Sequence, residues 1–201
     1  MQSIRSGKVD WTGDNPFIYM KEDPSGDWSS LSLYFRISSS DYGQGRAILI
    51  LQDPYFKDNE NAVRVCLTDN VDLARFLIDD FVTYFGLFRK AVSLGDVEIL
   101  EARFESDHDY PKRISEYASA TESDLKVELA WLNVSNRFAV ALPSQETQTQ
   151  KHEMFCVFEP AGSAYVKVNG NKLPGVTVER DFMGRTAQSA SLASSETWVQ
   201  V

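Results

Sequence analysis

Two histidines and two cysteines are all that a chain of 201 residues offers to nucleophilic, redox or transition-metal chemistry. A serine or cysteine hydrolase needs an imidazole, and neither His108 nor His152 stands in a recognisable triad signature. There is no Gly-rich phosphate loop of the Walker or dinucleotide type, no G-x-S-x-G elbow and no paired C-x-x-C motif. These gaps disfavour nucleotide-dependent enzymes, α/β-type hydrolases and zinc-stapled domains, so neither a cofactor nor a metal is expected. Asp107-His108-Asp109 carries nitrogen and oxygen donors, but on an extended chain the imidazole points away from both carboxylates. A charged surface segment is the expectation there.

Positive charge is also short, with 20 basic residues against 29 acidic ones and a net charge of −9. Non-specific binding to nucleic acid or to an anionic membrane needs a basic field, so both partners are disfavoured. No apolar run approaches the roughly 18 to 20 residues that span a bilayer, and Met1 to Asp14 has no apolar stretch of signal-peptide length. A cytoplasmic location is expected, with Cys66 and Cys156 reduced and acting as small hydrophobes in apolar runs. The acidity is uneven. Residues 96–128 hold ten acids and four bases, whereas residues 161–201 hold three acids and four bases.

What the chain has in quantity is short alternating stretches between turns. They are Phe17 to Lys21, Leu31 to Ser38, Arg46 to Gln52, Ala62 to Leu67, Val97 to Glu105, Leu125 to Val134, Phe138 to Leu142, His152 to Glu159, Ala164 to Asn169, Val176 to Phe182 and Ala187 to Val199. Asn169-Gly170 marks a hairpin, since both residues tolerate positive φ. The segment 107–123 is poorly periodic and reads as a solvated loop. Between Asn70 and Ala91 the period changes: Leu73, Leu77, Phe81, Tyr84, Phe85 and Phe88 recur at helical spacing, with Asp69 or Asn70 as cap. The expected fold is mainly β in a single domain over 1–201. It is an antiparallel barrel or strongly curved sandwich of about ten strands, with one principal helix near 70–91.

Alternation also locates polar residues on apolar faces, where a charge must be paired or must meet solvent or ligand. His152 shares parity with Met154, Cys156 and Phe158, and Arg180 shares it with Val176, Val178 and Phe182. Glu98 shares parity with Leu100, Ala102 and Phe104, while Gln188 and Glu196 share it with Ala190, Leu192 and Trp198. By contrast, Glu101, Arg103 and Glu105 form an ordinary solvent-facing row. Arg180 offers a cationic fork for a carboxylate, phosphate or carbonyl. Arg185, Phe182 and Trp198 suit the mouth and wall of a pocket, with Met183 and Gly184 lending adaptability. His152 and Glu98 are the candidate acid and base. Trp131 reads as core.

Three functions are compatible with this pattern. The first is a binding module for a small, largely apolar or aromatic molecule with one polar or acidic group, held in a barrel cavity by Arg180. The second is a cofactor-independent isomerase, cyclase or hydratase, in which His152 and a carboxylate exchange protons. The third is a structural subunit that forms a homodimer through the aromatic helix or the C-terminal strands.

Overall fold

The computed structural model describes residues 7–201. Fourteen strands and one α-helix follow in chain order: β1 (Lys8–Asp14), β2 (Phe17–Met20), β3 (Ser30–Ser40), β4 (Gly45–Gln52), β5 (Arg64–Thr68), α1 (Val71–Asp80), β6 (Glu98–Asp109), β7 (Arg113–Ala120), β8 (Lys126–Val134), β9 (Phe138–Leu142), β10 (His152–Val168), β11 (Asn171–Lys172), β12 (Glu179–Phe182), β13 (Arg185–Gln188) and β14 (Ala190–Gln200). Nine of the strands close a barrel. From β2 each of β3 to β8 pairs with its neighbour, β10 follows β8, β14 follows β10, and β14 returns to β2. Closure leaves these strands no free edge inside the ring.

The barrel is predominantly antiparallel, as expected, with one exception: β5 and β6 pair in parallel, with Cys66 opposite Ile99 and Leu67 opposite Leu100. Adjacent parallel strands need a crossover, and residues 69–97 supply it. That is why the one principal helix sits where it does. Asn70 caps α1 by accepting a hydrogen bond from the Leu73 amide at 3.1 Å. The helix is shorter than the apolar spacing suggests. It ends at Phe81, and three short 3-10 turns (Val82–Tyr84, Phe88–Lys90 and Val92–Asp96) carry the chain to β6. Val82, Thr83, the aromatics and Gly86 are poor helix formers, so packing of Phe81, Val82 and Phe88 into the core decides the path instead.

The barrel has an inside and a covered outside. Along β3, Tyr34 faces the lumen and Leu31, Leu33, Phe35 and Ile37 face outward; β4 and β5 alternate likewise. Ile18, Ile48, Ile50, Leu67, Leu129, Trp131 and Val166 fill the lumen, all without solvent exposure. Trp131 is core as expected, and its indole Nε1 donates to the Phe17 carbonyl at 3.0 Å. The outer wall is roofed by α1 and the turns after it, flanked by β1 and β9. It holds a second, aromatic-rich cluster that includes Trp11, Phe17, Tyr19, Phe81, Phe88 and Trp198.

Strand β10 joins the two regions. Its first half pairs with β9 and β14 and its second half with β8, so the two expected strands His152 to Glu159 and Ala164 to Asn169 are one bent strand. The bend holds Pro160, which lacks an amide, and Gly162, where a Cβ would stand 3.3 Å from the Asn133 Cβ. The Asn169-Gly170 hairpin forms as expected, with φ of 49° and 80°.

Two further elements depart from the sequence pattern. β1 lies in a segment with no apolar alternation, and the expected loop at 107–123 is largely the β6–β7 hairpin. Polar pairing stabilises that hairpin. Buried Glu116 accepts from Ser106 Oγ at 2.5 Å and pairs with His108 Nε2 at 2.9 Å, and Arg113 pairs with Asp107. His108 is thereby engaged with a carboxylate, and among the described residues no group of three or more metal-ligating side chains converges. None of the described helices is long and apolar enough to cross a membrane.

Candidate functional site

A cavity of about 410 Å³ opens on the covered outer wall of the barrel. Its floor is β2, where the outward parity presents Phe17 and Tyr19 as a stacked pair with centroids 4.8 Å apart. Met154 and Phe158 reach it from β10, and Phe85 to Leu87 from the turns after α1. The β12–β13 hairpin adds Arg180, Phe182 and Met183. Met183 and Gly184, with φ of 55° and 73°, make the tight turn that leaves Met183 at the mouth, 41% exposed.

Glu196 and Trp198 enter through a local irregularity in β14. The pairing of β14 with β10 slips between Phe155 and Val157, and Ser195 adopts φ of 53°. An extra residue in one strand reverses the facing of everything beyond it. Ala190 and Leu192 therefore look into the lumen, whereas Glu196 and Trp198 look outward into the aromatic layer. Simple alternation along β14 puts all four on one face, and the bulge corrects it.

Of the ionisable side chains that line this cavity, Tyr19, Glu146, Arg180 and Glu196, Glu146 is exposed and the other three are not. The Arg180 guanidinium carbon sits 5.6, 5.4 and 5.2 Å from the ring centroids of Phe17, Tyr19 and Phe182. Its Nε is buried without a hydrogen-bond partner, and among the described residues no carboxylate lies within ion-pair distance of it. Burial pulls its pKa down, against the opposing fields of Tyr19 and Asp181. Glu196 is only 4% exposed, and its carboxyl is pushed up to about 7. Burial is the main cause, and the charge of Asp14 adds to it. Hydrogen bonds from Trp198, Asn15 and Cys156 work in the opposite direction. Trp198 Nε1 donates to Oε1 at 2.6 Å and Cys156 Sγ donates to Oε2 at 3.6 Å. Asn15 also lines the cavity, with its own Oδ1 buried and unpartnered. Tyr19 feels both charges: burial raises its pKa most, the Arg180 field lowers it and the Glu196 field raises it.

Three of the six sequence candidates, Arg180, Phe182 and Trp198, therefore meet in one place. The other three do not join them. His152 is buried with parity as expected, but it belongs to a separate recess of about 240 Å³ on the other side of Trp198, whose ring it touches at 5.9 Å. Both its nitrogens are engaged, Nδ1 with Thr149 Oγ1 at 2.9 Å and Nε2 with Asp10 Oδ2 at 2.8 Å, which pins β10 to β1. Glu98 is exposed at the first residue of β6, beyond the lumen-facing Leu100, Ala102 and Phe104. Arg185 is exposed and stacks over Phe138 at 4.6 Å beside a shallow recess that it shares with Glu179. Turn geometry explains the last case, since Arg180 and Arg185 flank the turn on different strands.

Phe17, Tyr19 and Asn15 carry no polar-on-apolar signal and were invisible as site residues. Glu196 did carry that signal, but a residue near a strand end resembles a solvated carboxylate until the bulge is known. Both cysteines are free and buried, as expected. Burial drives the Cys66 thiol up to about 12, and burial together with Glu196 raises Cys156. Neither is an activated nucleophile. No family model matches the chain and no curated protein matches it.

Proposed function

We propose that the protein binds a small, largely aromatic or apolar molecule with one acidic or carbonyl group, in the cavity on the outer wall of the barrel. One observation carries this: Arg180 is held over three aromatic rings in a cavity of about 410 Å³, with a buried donor and, among the described residues, no carboxylate within ion-pair distance. A buried cation without a counter-charge is costly to a fold, and a ligand anion supplies the missing partner. The volume falls in the range of small-molecule sites, and the apolar walls with a few polar groups match their usual chemistry. The lumen, where such a ligand is first looked for in a barrel, is filled by side chains.

The reading is tested with naphthoate, an aromatic carboxylate, against methylnaphthalene, its uncharged counterpart, by calorimetric or fluorescence titration. Arg180→Met keeps the apolar volume and removes the charge. Naphthoate affinity is expected to fall roughly 10- to 100-fold, the worth of a charge-assisted hydrogen bond, while methylnaphthalene affinity stays level. The exposed Arg185→Met variant serves as the control and leaves both unchanged. Equal naphthoate affinity in wild type and Arg180→Met, or no binding to wild type, overturns the proposal.

A further inference from the structure

We infer, resting on that binding site, that the cavity also moves protons on a carbonyl ligand, with Glu196 as the base and Arg180 stabilising the enolate oxygen. The geometry that supports this is the arrival of two unlike groups in one apolar space from different strands. Glu196 projects from the bulge of β14 and Arg180 from β12, both line the cavity whose floor includes Tyr19, and Tyr19 feels both charges. Glu196 has no cationic partner within ion-pair distance among the described residues. Its donors are an indole, an amide and a thiol, all neutral. A carboxylate kept only for structure in such a place is expected to be neutralised by a cation or replaced by an apolar residue. Held by neutral donors, it keeps its orientation and can gain or lose a proton.

The chemistry balances without a further reactant. The Glu196 carboxylate takes a proton from the carbon beside the ligand's carbonyl, so a C–H bond breaks and an O–H bond forms on Glu196. The electron pair moves onto the carbonyl oxygen as an enolate, where the Arg180 guanidinium meets the developing charge. The proton held on Glu196 exchanges with solvent, and a proton is then delivered either to that carbon, giving back the ketone with a solvent hydrogen in place, or to a conjugated carbon, giving an isomer; both outcomes regenerate the carboxylate. A carboxyl near 7 suits this exchange at neutral pH. The groups around Glu196 are Asp14 from β1, Asn15 after it, Tyr19 from β2, Cys156 from β10 and Trp198 on its own strand, with Arg180 from β12 and the exposed Glu146 also lining the cavity. Asp14 is itself paired with Arg36, and burial raises both the Cys156 thiol and the Tyr19 phenol. His152 cannot replace it, because both of its nitrogens are committed outside this cavity.

The experiment follows hydrogen exchange of β-tetralone, a bicyclic aromatic ketone, in deuterium oxide by proton NMR. Wild type is expected to exchange the protons beside the carbonyl faster than buffer, with saturation in ketone, competition by naphthoate and a rate that rises through a midpoint near 7. Glu196→Gln is expected to lose about 100-fold or more of the catalysed rate while binding naphthoate within threefold of wild type. Glu196→Asp retains a base and keeps part of the rate, which guards against misreading a folding defect. Arg180→Met lowers both rate and naphthoate affinity. Wild type that binds naphthoate but exchanges β-tetralone no faster than buffer overturns the inference and leaves the binding site standing. So does Glu196→Gln exchanging at the wild-type rate. Failure of wild type to bind naphthoate overturns both.

Discussion

The lumen and the outer layer of this barrel are built from the same strands, one parity apart, yet they differ in kind. Inward residues are mostly aliphatic around the single indole of Trp131, and they close to zero exposure at Ile18, Ile48, Ile50, Leu67, Leu129 and Val166. The outer layer mixes aliphatics such as Leu31, Leu33 and Leu49 with many rings: Trp11, Phe17, Tyr19, Phe35, Phe81, Phe88 and Trp198 meet mostly edge to face, as Trp11 does with Phe35 and Phe81 at 6.1 and 5.7 Å. Both kinds of side chain can pack to crystal-like density, and the gap that remains lies in the outer layer, between β2, β10 and the β12–β13 hairpin. Both layers hold a buried carboxylate, but Glu116 on the lumen side is met by Ser106 and His108, whereas the outer layer also holds a buried cation without a carboxylate in ion-pair distance among the described residues. Arg180 and Glu196 both occupy the aromatic layer, in its cavity. The lumen's orphaned polar atoms are neutral hydroxyls, such as Ser32 on the Tyr34 face. One layer therefore supplies stability, and the other spends some of it on a site.

The sharpest way to break the contrast is to cut one tryptophan from each layer. Trp131→Ala removes a fully buried indole and its hydrogen bond to Phe17 from a closed lumen, at an expected cost of about 3–5 kcal/mol in chemical denaturation. Trp198→Ala enlarges a cavity that already exists, and it is expected to cost at least about 1 kcal/mol less, because the cavity penalty depends on how closely the site was packed. A larger loss at Trp198 than at Trp131 removes the division.

A smaller effect separates the layers by pH. Glu196 has its folded-state value raised from 4.5 to about 7, so the folded protein binds more protons than the unfolded chain between those limits. Stability from this group is whole below about 4.5, is lost as pH rises through about 7, and is level above it. The full span is about 3 kcal/mol. Glu196→Gln cannot ionise, so the difference between variant and wild type should swing by that amount in favour of the variant between acid and alkaline pH. Parallel stability curves for the two proteins contradict the assignment.

How far the sequence reached follows the same division. Strands with clear alternation were legible: Phe138 to Leu142 coincides with β9 beside the barrel, and Trp131 with Val127 and Leu129 lies in the lumen. The crossover was legible as a change of period after Asn70, but the parallel pairing it implies was not, since strand direction is set by contacts distant in sequence. β1 and β7 were missed because their stabilising partners are polar and remote, as with Glu116 to Ser106 and His108. At the site, Arg180 and Phe182 were found by parity within one short strand. Glu196 shares parity with Trp198 but reads as a solvated strand-end carboxylate, and the bulge at Ser195 that turns both away from Ala190 and Leu192 leaves no local mark when its positive-φ residue is a serine. His152 was correctly placed as buried but wrongly joined to Arg180, because burial does not say which of two recesses a side chain borders.

The smallest expected effect bears most directly on whether the outer layer spends stability on function. Arg180→Met removes a guanidinium that burial disfavours, together with a buried Nε that has no partner, and it leaves a flexible apolar side chain of similar length. Against this stands the loss of attraction to the faces of Phe17, Tyr19 and Phe182. Each such contact is worth about 0.5–1 kcal/mol at exposed positions, and one cation shared over three rings does not collect three full contributions. The balance is expected to favour methionine by up to about 1 kcal/mol, read as a shift of the urea midpoint at unchanged slope. A loss of more than about 1 kcal/mol would mean that the rings already satisfy the cation. Arg180 would then be a structural clasp between the β12–β13 hairpin and β2, and the contrast between a stabilising lumen and a costly outer site would fail at its central residue.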